Sequence, residues 1–148
     1  MIIANALNGI RTIFLDTAPI IYYIEAHSQF GALMKQVVSK FKSGDLRAFS
    51  SVITITEVLP KPIEMEKEDL VNKFIYFLLY SKNIDLLEVS VDVAKLAGRL
   101  RGQNRFLRTL DAIQLATAID AGIDAFLTND KKLKRIKEIK IVCLQDYL

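Results

Sequence analysis

The sequence holds one cysteine and one histidine in 148 residues, and each scarcity excludes something. Cys143 has no partner for a disulfide within the chain, and an all-cysteine zinc site is impossible. In an apolar, strand-like run it reads as a small buried hydrophobe, which points to the cytoplasm. His27 lies at the far end of the first expected helix, too remote from the strand ends to serve as a general base. No apolar run reaches membrane-spanning length without a charge. The opening residues, Met1 to Ile10, lack a basic segment and are broken by Asn5 and Asn8, so they read as neither signal peptide nor span. Glycine- or serine-rich linkers, repeats and low-complexity stretches are absent too. Charge of one sign is not in large excess: 20 Lys and Arg stand against 17 Asp and Glu, and a net +3 says little about partners.

What is present is an ordinary globular composition, 51% apolar and 25% charged, enough for one domain over 1–148 with a real core. Short β-branched runs alternate with helical periodicity. Strands are expected at Thr12–Leu15, Leu46–Ser51, Ile84–Val89, Asp124–Thr128 and Ile139–Leu144. Helices are expected from Thr17, with Thr17 as N-cap and Pro19 in the first turn, and from Ser28 onward. Val52–Pro60 suits strand or helix and is read as helix. Further helices follow at Glu66–Ser81, Asp92–Leu100 and Leu110–Ala121, the last capped by Thr109 and ended by Gly122. Within Glu66–Ser81 the segment Phe74–Tyr80 is apolar nearly all round, which implies burial on every side, by a partner surface or a covering loop. Arg101–Arg108 reads as a basic loop. Alternating strands and helices give an α/β three-layer sandwich with a mostly parallel central sheet.

That topology places four acids. Asp16 ends the first strand, Glu57 follows the second, and Asp130 lies just past the fourth. A tight Gly122-Ile-Asp turn makes the Leu110 helix antiparallel to the fourth strand, so Asp111 starts at the same edge. Each acid alone has a bland explanation, since a carboxylate near a helix start is favourable without any function. Together they would repel and retain protons unless a cation sat among them. Carboxylates without histidine or thiolate select Mg²⁺ or Mn²⁺ over zinc. Such ions activate water and neutralise a phosphoryl group during in-line displacement.

Four blocks carrying these acids, Phe14-Leu-Asp16-Thr17, Ser51 to Glu57, Leu110-Asp111-Ala-Ile-Gln-Leu-Ala-Thr-Ala and Leu127-Thr128-Asn129-Asp130, resemble the signature blocks of PIN-domain proteins. In order and length the chain from Arg11 to Leu148 looks most like the VapC-type toxins of prokaryotic toxin–antitoxin pairs. The resemblance implies a metal-dependent endoribonuclease in which Asp16, Glu57, Asp111 and Asp130 hold Mg²⁺ or Mn²⁺. It makes Thr128 a hydroxyl that braces the acids, with Thr17 and Asn129 as further candidates. It also implies a homodimer and neutralisation by a small antitoxin. Two departures stand out: Lys132 occupies a position where some relatives carry another acid, and the first ten residues precede the usual opening strand.

Arg99, Arg101, Arg105 and Arg108 flank the proposed site without an intervening acid and would clamp an RNA backbone, giving affinity without sequence information. The lysine run from Lys131 to Lys140 reads as a solvated face. Two rivals remain. A phosphatase using Asp16 as nucleophile, as in haloacid dehalogenases, would want a second aspartate where Ala18 stands. A non-catalytic PIN-fold module binding RNA or protein would tolerate loss of an acid, yet all four are present.

Overall fold

The computed structural model describes residues 2–82 and 84–148. Five strands form one sheet: β1 Thr12–Leu15, β2 Arg47–Ser51, β3 Ile84–Leu87, β4 Ala125–Thr128 and β5 Lys140–Cys143. They lie in the order β3-β2-β1-β4-β5, and every pairing is parallel. The expected sandwich is therefore present, with β1 at its centre.

Side chains alternate along each strand, so successive residues face opposite sides of the sheet. Ile13, Leu15, Ala125, Leu127 and Val142 enter one core, while Phe14 and Phe126 enter the other. The two phenylalanines pair in register on neighbouring strands and stack, ring centres 5.2 Å apart and 5° from coplanar. Helices cover both faces, as a parallel sheet requires. On the first side lie α1 Ile3–Ala6, α2 Thr17–Ile24, α3 Gly31–Lys42, α4 Val52–Val58, α5 Pro60–Glu64 and α6 Glu68–Tyr80. On the other lie α7 Val91–Gln103 and α8 Thr109–Asp120. Buried Ala112, Ala116 and Ala118 let α8 approach the sheet closely. Gly122, at φ 70°, closes α8: its N–H reaches the Ile119 carbonyl, and Ile123 reaches that of Ala118.

Several local expectations are corrected. Asp16, not Thr17, is the N-cap of α2, its carboxylate accepting from the Thr17 amide at 2.9 Å. Arg108 occupies the cap position of α8, so Thr109 is its first residue and not its cap. Helix α7 runs on to Gln103, which puts Arg101 on a helix and leaves only 104–108 as connection. The start of the lysine run read as a solvated face is a 3-10 turn, Lys131–Arg135, whose Leu133 is buried. On helix α6 no covering loop is found among the described residues: within the chain Phe74, Phe77 and Leu78 pack inward, whereas Tyr76, Leu79 and Tyr80 face out. The residues ahead of β1 are part of the core, since Ile3 and Leu7 are buried among the residues under α3.

Candidate active site

The four acids leave the chain at four separate points, Asp16 and Asp130 just past β1 and β4, Glu57 on α4 and Asp111 in the first turn of α8, and are near enough to feel one another's charge. β1 and β4 run side by side with Leu15 opposite Leu127, so Asp16 and Thr128 follow as neighbours. The Thr128 hydroxyl donates to Asp16 Oδ2 at 2.8 Å and accepts the Asp130 amide at 3.2 Å. Asp130 then caps the 3-10 turn, its Oδ1 accepting from the Lys132 N–H at 3.0 Å. On the other flank the Thr17 hydroxyl donates to Glu57 Oε1 at 2.6 Å. Thr17 and Thr128 thus link Asp16 to Glu57 on one side and to Asp130 on the other.

Asp111 completes the group electrostatically. Burial, then the charge of Asp130, raises its carboxyl above the ordinary value, with Glu57 adding to the push and Arg108 and Lys132 opposing it. Asp16 is lifted further, to about 6: burial is the main cause, and Asp111 and Glu57 add repulsion that the Thr128 and Thr17 hydrogen bonds only partly offset. All four acids are part-buried, and none is in a salt bridge among the described residues.

Those observations frame the fit to a metal. As the side chains stand, no three metal-binding groups among the described residues converge closely enough to ring an ion. The donor set nevertheless fits a hard divalent cation: carboxylate oxygens only, part-buried, mutually repelling and free of salt bridges among the described residues. Binding one would require the carboxylates to turn inward.

The remaining candidates divide. Asn129 faces away from the acids: its amide nitrogen donates to the Tyr22 hydroxyl, and its side-chain and backbone oxygens both accept from Gln145. Arg99, Arg101, Arg105 and Arg108 are all exposed and form no salt bridge among the described residues, but only Arg108 registers its charge on Asp111. Lys132, the departure noted in the sequence, does so as well. His27 is structural: its Nδ1 accepts the Gln29 and Phe30 amides ahead of α3, and its ring packs on Tyr22 and Phe30.

Sequence reasoning passes over a buried polar cluster beneath the acids. Ser50, Ser51, Thr54 and Gln114 are each at most 1% exposed, and each is hydrogen-bonded. The signal is present as spacing, because Thr54 and Gln114 stand one helical turn from Glu57 and Asp111.

Comparison with known proteins agrees with this architecture. Among solved structures, VapBC2 from Rickettsia felis, bound to a DNA fragment from its promoter, matches with a TM-score of 0.72 and 20% identity, over 89% of this chain and 98% of that one. DNA-bound VapBC from Salmonella typhimurium gives 0.71 and 18%, over 90% and 98%. VapC20 of Mycobacterium tuberculosis, a sarcin–ricin-loop-cleaving toxin, gives 0.70 and 14%, over 86% and 98%. At such identities the likeness is one of fold. Among curated proteins none matches the sequence. The family model of the PIN domain matches residues 13–139, which run from β1 through β4 and hold every acid of the site, and the chain belongs to the PIN-domain family.

Proposed function

We propose that this protein is a metal-dependent endoribonuclease, the toxin of a type II toxin–antitoxin pair acting in the cytoplasm. The observation that carries the reading is the gathering of Asp16, Glu57, Asp111 and Asp130 at one sheet edge, close enough to raise one another's proton affinity and with no salt bridge to any of them among the described residues. Those four would hold Mg²⁺ or Mn²⁺, which when bound supplies an acidified water and neutralises charge on a phosphodiester. The chain's own contribution is to orient and attract. Thr128 and Thr17 fix the carboxylates of Asp16 and Glu57 by donating to them. Arg108 and Lys132 bring positive charge to the rim, where a polyanion must approach acids that would repel it. Arg99, Arg101 and Arg105 extend that charge along the exposed side of α7 and the connection after it.

An antitoxin partner is supported by the likeness to VapBC complexes, and a homodimer by the family resemblance. The outward Tyr76, Leu79 and Tyr80 of α6 offer apolar surface for such a contact.

The test is cleavage of a mixed RNA pool with Mg²⁺, with Mn²⁺ and with EDTA, beside Asp16→Asn. Metal-dependent cutting that disappears in the variant is the expected result. RNA bound but left intact by both proteins would move the chain to a non-catalytic binding module.

A further inference from the structure

The buried cluster beneath the acids has a direction that hydrogen-bond chemistry fixes. Only the Gln114 amide nitrogen can donate to the Thr54 hydroxyl, 2.8 Å away. Ser50 donates its one proton to the Leu15 carbonyl at 2.9 Å, so the 2.8 Å contact between Thr54 and Ser50 runs from Thr54 to Ser50. Ser51 donates to the Gln114 amide oxygen and accepts the Ile53 amide at 3.1 Å. Proton by proton, the chain leads from α8 through α4 to β2 and ends on the carbonyl of the residue before Asp16. No buried side-chain polar atom among the described residues lacks a partner.

Each anchor also sits at a telling distance from an acid. Gln114 is one turn after Asp111 on α8, and Thr54 one turn before Glu57 on α4, so anchor and acid share a helix face. Fixing the anchor fixes the rotation of the helix about its axis, and with it the direction in which the acid emerges. A purely apolar contact between α4 and α8 would leave that rotation to packing alone, because such contacts are non-directional.

We infer that Gln114, Thr54, Ser51 and Ser50 are positioning residues that set the mutual alignment of Asp111, Glu57 and Asp16. The inference deepens the nuclease reading and rests on it only for the metal measurement below.

Gln114→Met keeps the length of the side chain and strands the Ser51 and Thr54 hydroxyls. The triple variant Ser51→Ala, Thr54→Val, Gln114→Met removes those hydroxyls as well and keeps an apolar interior of similar shape, which guards against simple misfolding. Two readouts apply to wild type and both variants. Amide hydrogen exchange in metal-free protein should accelerate about tenfold or more at the first turn of α8 and around Glu57, with β1 and β4 unchanged in both variants. Mn²⁺ affinity by calorimetry should weaken about tenfold or more. Unchanged exchange at α4 and α8 in a folded triple variant overturns the inference. If wild type itself binds no Mn²⁺, the metal-dependent reading falls and the exchange result decides the positioning role alone. Local loosening with undiminished Mn²⁺ affinity shows that the network does not align the acids, and overturns it too.

Discussion

Asp16 carries three roles at one position: strand end, helix cap and site carboxylate. Its proton affinity is therefore coupled to folding. The folded carboxyl, at about 6, binds protons more tightly than the unfolded one at 3.8, so its contribution to the stability of metal-free protein is fully present below about 4 and is lost as pH rises through about 6. The loss should be on the order of 3 kcal/mol in urea titrations, and Asp16→Asn should flatten the profile. Mg²⁺ should then raise the melting temperature more at neutral pH than at acidic pH, where protons compete for the same oxygens. A metal-free protein whose stability climbs with pH over that range would contradict the burial argument. The Asp16–Thr17 step also shows why local sequence points to the wrong cap. Both residue types cap helices, and the choice is made by Thr128, a neighbour separated by 112 positions, which holds the aspartate in place.

Among elements, α8 shows what a sequence reveals and what it conceals. Its stop and its direction were legible, because Gly122 and the short turn into β4 force the antiparallel return that places Asp111. Gly122→Ala should cost about 1 kcal/mol by denaturant midpoint, purely through its left-handed φ of 70°, since an added Cβ meets nothing within 4 Å. Gln114, buried in the same helix among alanines, was not legible as an anchor, because its partners lie on α4 and β2, far away in sequence. Helix α7 extends through Arg101 and Gly102 because it packs along α8, a tertiary gain that overrides local signals. On α6 the apolar band is wider than the face it buries, so periodicity alone could not say which tyrosines point outward. For the arginines the expected outcome is electrostatic. An Arg105→Ala, Arg108→Ala variant should bind RNA with a shallower salt dependence, by about 0.7 in log–log slope for each phosphate that is no longer neutralised. An unchanged slope would return them to the solvated surface.

At the scale of the whole molecule, the fold class and strand set followed from alternation, and strand-end position put the acids on one edge of the sheet. The contribution of the first residues did not. A four-residue helix has no stability of its own and exists because Ile3 and Leu7 find a core to enter. Removing residues 1–10 should lower the unfolding free energy by about 3 kcal/mol while leaving the acids in place, a result that thermal and urea unfolding of the truncated chain would check. A truncation without effect would show that α1 only rests on the surface.

The strand order carries one more consequence. β1 at the centre is completed by β4, so Asp16 gains Thr128 and Asp130 only after most of the chain exists. A chain still being synthesised holds half a site, and no fragment ending before residue 125 can hold a whole one. Long-range parallel pairing is also slow to form. For the proposed ribonuclease, the same strand order would withhold the complete site from a growing chain until its last strands have docked.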